Sequence, residues 1–211
     1  MAEYSSDEER FAALVNFFKD NKNILLIVFS VISVFFITSI SLNSYNNSQN
    51  EKAAEIYDVW FSTFSNDSKD GQDYYNRLQT KYSNTGYAQL ATMIKASSLA
   101  REGDLDSALI DFSELLDASS GIFGNEMLSS IAKINIARIE LSKENYTDVL
   151  KTLESFNSNS EHSLVYEIKG DALLGLQKND LALDQYSLAL ENTQNESQKS
   201  LIKMKINRVN N

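Results

Sequence analysis

Residues 103–115 read GDLDSALIDFSEL, and this stretch carries the pattern that decides the fold. Gly103 suits a tight turn, and the small residue Ala108 follows it at a position where two helices can touch. Phe112 and Leu115 then continue at helical spacing. The stretch therefore predicts a turn followed by the second helix of a helical hairpin.

The same frame occurs three times along the chain. Two sets of landmarks are spaced first by 41 and then by 33 residues: Ala96, Ala137 and Gly170 on the first helices, and Ala108, Val149 and Ala182 on the second helices. Tetratricopeptide repeats have a period of about 34 residues. Glu144 and Gln177 stand where glycine is common at the turn. The pattern predicts a tetratricopeptide-like solenoid, and a set of generic helical hairpins is the alternative.

Helical patterns also flank these three repeats. A hairpin is predicted from residue 51 to residue 82, with a break at residues 66–71. Residues 197–209 predict a capping helix, with apolar positions at Leu201, Met204 and Ile206 and a basic outer face formed by Lys199, Lys203, Lys205 and Arg208.

Residues 24–42 read ILLIVFSVISVFFITSISL, and no charge occurs between Lys22 and Glu51. At 1.5 Å per residue these nineteen residues form a helix of about 28 Å, close to the roughly 30 Å of bilayer hydrocarbon. The stretch predicts a transmembrane helix that stays attached. A cleaved signal peptide has a shorter apolar core, and a buried core helix is the remaining alternative.

Basic residues near the span predict its orientation, because Lys and Arg resist export. Arg10, Lys19 and Lys22 precede the span, whereas Lys52 follows it. We therefore expect a single-pass membrane protein with a cytoplasmic N-terminus and an exported C-terminal domain. The expected organisation is a cytoplasmic segment at 1–23, the span at 24–42, a polar tether at 43–50 and a repeat domain at 51–211.

An apolar stripe precedes the span, because Phe11, Leu14, Val15 and Phe18 share one face of a helix. Phe11, Leu14 and Phe18 are the candidate membrane-side contacts. The stripe has three readings: a helix that lies among lipid headgroups, an extension of the transmembrane helix, or a surface that docks on another membrane protein.

Composition argues against catalysis. Cysteine is absent and His162 is the only histidine, so a paired-histidine metal site and a Cys-His dyad are impossible. We expect neither a metal nor a cofactor. The net charge of −10 disfavours nucleic acid as a partner. The sequence therefore predicts a protein that binds other proteins and is not an enzyme.

The first helices of such repeats line a concave binding surface. Seven candidate partner-binding residues lie in that frame: Met93, Ser97, Arg101, Ile134, Arg138, Glu167 and Asp171. Burial between repeats and plain solvation are the alternatives for each of them. The set lacks the Lys and Asn residues with which cytosolic chaperone-binding repeats hold a C-terminal carboxylate.

The chain as a whole resembles the YfgM family of bacterial inner-membrane proteins, which are described as ancillary subunits of the SecYEG translocon. The resemblance runs from Tyr4 to Asn207 and includes an acidic head, NFFKDN at 16–21, GDALL at 170–174 and MKIN at 204–207. It implies a periplasmic tetratricopeptide-like domain that associates with the translocon and with a membrane-anchored peptidyl-prolyl isomerase chaperone, and that assists unfolded exported proteins. A scaffold of another envelope complex, or an organelle import receptor, is the alternative.

Overall fold

The chain is helical throughout the part that the computed structural model describes, residues 7–65, 71–121, 124–156 and 162–210. These residues form ten α-helices and no β-strand. The helices are α1 (Asp7–Asp20), α2 (Lys22–Ser65), α3 (Gly71–Lys81), α4 (Gly86–Glu102), α5 (Leu105–Ser119), α6 (Glu126–Ser142), α7 (Tyr146–Thr152), α8 (Ser163–Gly175), α9 (Asn179–Glu191) and α10 (Glu196–Asn210). The predicted all-α class is confirmed.

Two compact units divide the chain, Met1–Lys52 and Ala53–Asn211. In the first unit, Asn21 forms a turn between α1 and α2, and its side-chain amide donates to the carbonyl of Phe17 at 2.9 Å. The apolar part of α2 has a mean hydropathy of 2.6 and buries none of its residues. By length and composition, α2 is able to cross a membrane.

Residues 43–50 are helical within α2, whereas their polar sequence predicts a turn-prone tether. The segment NSYNNSQN contains neither glycine nor proline. Asn and Ser cost at most about 0.7 kcal/mol each in a helix relative to Ala. A helix that is already formed on either side gains one hydrogen bond for each residue it adds. Polar composition alone therefore does not interrupt this helix.

Pairs of helices joined by short turns make up the second unit. α4 packs on α5, α6 on α7 and α8 on α9, and the successive pairs contact each other through α5 with α6 and through α7 with α8. Each helix thus contacts its neighbours in sequence, as in a solenoid.

The turns inside the three repeats share one hydrogen-bond pattern. Gly103, Glu144 and Gln177 have positive φ angles of 88°, 62° and 59°. In each turn the amide of this residue donates to the carbonyl three residues earlier, and the next amide donates to the carbonyl five residues earlier. This is the Schellman arrangement, which satisfies carbonyl groups at a helix end. Glu144 and Gln177 therefore occupy positions that favour glycine, as the spacing predicts.

The landmark residues lie where helices touch. Five of them have no exposed surface: Ala96, Ala108, Ala137, Val149 and Ala182. At Gly170 an added Cβ would lie 2.5 Å from Cε1 of Tyr186, closer than carbon atoms can approach. Small residues at these positions therefore permit the helix spacing of the repeat.

The first hairpin of the second unit has an aromatic core. Trp60 on α2 is 1% exposed, and its ring centroid lies 5.0 Å from that of Phe64 and 6.1 Å from that of Tyr75 on α3. α3 begins at Gly71. Residues 66–70, where the sequence predicts the break, lie outside the described residues.

α10 packs on the third repeat with a different face from the predicted one. Ile202 is fully buried, and Ile206 packs against the same cluster, whereas Leu201 and Met204 are 46% and 68% exposed. Lys205, which the sequence places on the outer face, bonds inward to α8. The prediction of a capping helix is right, but its rotation about its own axis is wrong, because Ile202 and not Leu201 fits beside Tyr186.

Candidate binding groove

The apolar stripe of α1 is exposed. Phe11, Leu14 and Phe18 are 69%, 56% and 58% exposed, and Phe17 beside them is also exposed. Exposed aromatic groups on one short helix are typical of membrane-surface or protein contacts. The stripe therefore remains the candidate for membrane-side contact in the first unit.

A groove in the second unit lies between α4, α5 and α6. Its volume is about 340 Å³, which is within the usual range for ligand sites. The lining residues are Ser97, Ala100, Arg101, Leu105, Phe112, Asn135, Arg138, Ile139 and Ser142. Three of the seven residues predicted from the sequence meet here: Ser97, Arg101 and Arg138.

The two arginines give the groove its charge. Both side chains are exposed, and neither forms an ion pair with any acidic residue in the described part of the chain. Nε of Arg101 donates to the carbonyl of Ser97 at 3.3 Å, which holds this side chain along α4. Because a guanidinium carries five donors, most of those on both arginines remain available.

Met93 and Ile134 do not line the groove. Met93 is half-buried against the cluster between α4, α5 and α6, and Ile134 is half-buried against the next cluster, which contains Val149 and Val165. Their apolar side chains contribute to packing between repeats. Burial between repeats was one of the readings that the sequence left open for these positions.

Glu167 and Asp171 lie under α10. Nζ of Lys205 bonds to Glu167 at 2.6 Å and to the two carboxylate oxygens of Asp171 at 2.7 and 2.9 Å. The hydroxyl of Tyr186 donates to Asp171 at 2.8 Å. Glu167 is only 7% exposed. Helix α10 of the same chain thus covers Glu167 and Asp171, the two candidate binding residues of the third repeat.

This ion-pair cluster affects the protonation of its members. Burial alone would lower the pKa of Lys205, but the hydrogen bonds that its ammonium group donates to Asp171 and Glu167 more than offset this effect and raise that pKa. Burial and then the hydrogen bond to Asp171 raise the pKa of Tyr186. Lys205 is therefore charged at neutral pH, and its positive charge compensates the carboxylates of Glu167 and Asp171.

A second polar cluster joins α3, α4 and α5. Lys95 pairs with the buried Asp111, and its ammonium group lies 5.0 Å from the ring centroid of Tyr75. The Tyr75 hydroxyl lies 3.3 Å from that of Thr92, and burial raises the pKa of Tyr75 to about 12. Each charge has its partner inside the cluster. Its contacts therefore stabilise the packing of these helices.

His162 and Gly175 lie at the two ends of α8. His162 is the exposed residue before α8, and its ring centroid lies 5.9 Å from that of Phe156 in a T-shaped arrangement. Gly175 packs against Tyr146, since an added Cβ would lie 2.3 Å from its Cζ atom. Among the described residues, no group of His, Asp and Glu could hold a metal ion.

Asn135 is one of six lining residues that the sequence prediction lacked. Its Nδ2 atom donates to the carbonyl of Ile131 at 2.9 Å. The side-chain amide oxygen of Asn135 remains available as an acceptor. Asn135 lies one turn before Ile139 on α6, and both line the groove. A check of the residue one turn from each candidate would have found it.

Comparison with known proteins gives two kinds of match. The sequence pattern of the tetratricopeptide repeat-like domain family matches residues 16–211. Two curated relatives are both named "Ancillary SecYEG translocon subunit". The one from Buchnera aphidicola subsp. Schizaphis graminum (strain Sg) is 28% identical over 123 residues, which are 58% of this chain and 61% of the relative. The one from Buchnera aphidicola subsp. Acyrthosiphon pisum (strain APS) is 24% identical over 121 residues, 57% of this chain and 61% of the relative.

The match thus spans about three fifths of the length of these relatives. No solved structure matches the chain.

Proposed function

This chain belongs to the tetratricopeptide repeat-like domain family, and from that premise we propose that it is a membrane-anchored, non-catalytic subunit that associates with the SecYEG translocon. The observation that carries the proposal is the shared name of the two relatives, both ancillary subunits of that translocon. One apolar helix before a repeat domain supports it, because this order provides an anchor and a binding surface. The two relatives also confirm the resemblance to the YfgM family that the sequence indicates.

The proposed location is the inner membrane, with a single span and with the repeats in the periplasm. The greater number of basic residues before the span supports this orientation. The exposed stripe of Phe11, Leu14 and Phe18 then lies on the cytoplasmic side, where it contacts lipid or a membrane partner.

The proposed mechanism is tethered binding. The repeats hold a periplasmic chaperone, a membrane-anchored peptidyl-prolyl isomerase, or an unfolded exported protein near the exit of the translocon. Linking two binding modules converts the second binding event into an intramolecular one, with an effective concentration that reaches about millimolar for short links. Such a subunit needs no catalytic group to raise the rate at which its partners meet.

Co-purification tests the association. The full chain with a C-terminal affinity tag is isolated from detergent-solubilised membranes, and the recovery of SecY is measured by immunoblot. We expect enrichment of SecY over a tagged single-span membrane protein of similar abundance. Recovery equal to that control, with and without chemical crosslinking, would overturn the proposal.

Topology is tested by fusion of alkaline phosphatase, which is active only after export. A fusion at the C-terminus should be active, and one at the N-terminus should be inactive. The reverse pattern would place the repeats in the cytoplasm and contradict the proposed orientation.

Two lesions test whether the contacts are separate. Replacing Phe11, Leu14 and Phe18 by Ser should reduce crosslinks to translocon subunits, because it removes exposed apolar groups without touching the repeats. Arg138→Glu should reduce crosslinks to the periplasmic chaperone and leave membrane association intact. An equal loss of both sets of crosslinks in each variant would indicate a single docking surface.

A further inference from the structure

The groove between α4, α5 and α6 is positively charged in an acidic protein. The chain has a net charge of −10, yet the groove lining contains Arg101 and Arg138 and no carboxylate. The acidic residues nearest in sequence have other partners, since Glu102 accepts from Ser98 and Glu140 accepts from Asn145. The groove therefore offers two positive charges that form no ion pair with an acidic residue in the described part of the chain.

The floor of the groove is apolar. Phe112 and Ile139 are 1% and 4% exposed, so the groove reaches down to the core. Leu105 and Ala100 complete the apolar surface. An apolar side chain that leaves water for such a site is stabilised in proportion to the apolar area it buries.

The walls carry hydrogen-bond acceptors. The hydroxyls of Ser97 and Ser142 donate to the carbonyls one turn earlier in their own helices, at 2.7 and 3.0 Å. Their lone pairs and the amide oxygen of Asn135 remain as acceptors. An extended peptide presents unpaired backbone N–H groups, which such acceptors can bind.

We propose that this groove binds an extended polypeptide segment that carries two acidic side chains with an apolar side chain between them. The carboxylates pair with Arg101 and Arg138, and the apolar side chain lies on Phe112 and Ile139. This inference deepens the proposed function, on which it rests for the identity of the partner as a chaperone or an exported protein. Bidentate pairing between guanidinium and carboxylate supplies both geometry and energy.

Two arginines on two different helices favour side-chain carboxylates over a chain terminus. A single terminal carboxylate carries one negative charge, so one arginine charge would stay uncompensated even if both guanidinium groups shared its oxygens. Two glutamate or aspartate side chains leave neither arginine unmatched.

Fluorescence anisotropy tests the proposal with the full chain in detergent micelles. The probe is a labelled peptide with blocked ends in which one serine separates a leucine from the glutamate on either side, so that the three side chains share one face of the extended chain, and the reference peptide has glutamines in place of the glutamates. We expect the glutamate peptide to bind at least about tenfold more tightly, since a hydrogen bond from a guanidinium to a carboxylate is stronger than one to a neutral amide. Binding should weaken as salt rises from about 0.05 M to about 0.5 M, because partly exposed charges are screened.

Matched variants locate the binding site. Arg101→Gln and Arg138→Gln should each weaken binding about tenfold or more, whereas Lys151→Gln on the exposed face of α7 should leave it unchanged. Equal affinity for the two peptides, or equal losses in all three variants, would overturn the inference. Tighter binding of a peptide with only a free C-terminal carboxylate would also overturn it.

The peptide-binding assay and the co-purification test different proposals, and either one can fail without the other. If SecY is recovered but the glutamate peptide shows no preference, the groove inference falls and the proposed association stands. If the peptide binds through both arginines while SecY is not recovered, the groove inference stands and the translocon proposal falls.

Discussion

Glycine at position 144 or 177 should stabilise the repeats, although each substitution removes a side chain. Glu144 and Gln177 have φ angles of 62° and 59° in the turns that follow α6 and α8. This left-handed conformation costs a residue with a Cβ about 1–2 kcal/mol. Both side chains are exposed, and within the described residues neither forms a hydrogen bond or an ion pair. Their removal therefore costs the folded state little.

The expected gain is smaller than the strain that is relieved. Glycine gives the unfolded chain additional conformational freedom, which opposes folding by about 0.5–1 kcal/mol. The net stabilisation is therefore about 0.5–1 kcal/mol at each site. Gly103→Ala should have the opposite effect of similar size, because φ is 88° there and the added methyl group meets no atom within 4 Å.

Thermal unfolding of the full chain in detergent, followed by far-UV circular dichroism, measures these effects. A change of 1 kcal/mol shifts the midpoint by about 2–4 °C for a chain of this size. Glu144→Gly and Gln177→Gly should raise the midpoint by about 1–4 °C, and Gly103→Ala should lower it by a similar amount. Glu144→Ala is the matched control, since it removes the side chain and keeps the strained φ. If Glu144→Gly lowers the midpoint or Gly103→Ala raises it, the turns are not the source of strain that we infer.

Four further substitutions test the packing. Ala108→Leu and Ala182→Leu should each lower the unfolding midpoint, because overpacking at a fully buried helix contact costs about 1–3 kcal/mol; unchanged midpoints for both would refute the repeat frame. Gly170→Ala should also lower the midpoint, since its methyl group would collide with the ring of Tyr186; a higher midpoint would mean that helix propensity outweighs the collision. Lys205→Met should destabilise by about 1–3 kcal/mol in urea unfolding, because it leaves two poorly exposed carboxylates without a cation, whereas a matched change at exposed Lys203 should have little effect.

The repeat frame could be predicted from the sequence because helix contacts and tight turns restrict residue type. Ala108, Ala182 and Gly170 are small where helices approach, and these positions recur at a fixed interval. The interval also located the turns at Glu144 and Gln177, whose residue types alone give no turn signal. Periodic constraints of this kind act locally and are therefore visible in one sequence.

Contacts between distant parts of the chain could not be predicted in the same way. Glu167 and Asp171 lie on the first helix of the third repeat, as the frame predicts, but Lys205 reaches them from 38 and 34 residues away. The rotation of α10 decides this contact, and the sequence of α10 has apolar residues on two faces. Of the candidate surface, Ser97, Arg101 and Arg138 share one groove, because only the packing of α4 on α6 brings them together.

The inward bond of Lys205 and the burial of Ile202 have a consequence for biosynthesis. A chain grows from its N-terminus, so α8 and α9 are made before the helix that covers Tyr186 and Leu173. At roughly 5–20 residues per second, the nineteen residues from Asn192 to Asn210 take about 1–4 seconds to appear. During that interval the aromatic and aliphatic groups of the third repeat face water or any holdase nearby. During this interval the unfinished third repeat therefore exposes apolar groups of the kind that a chaperone binds.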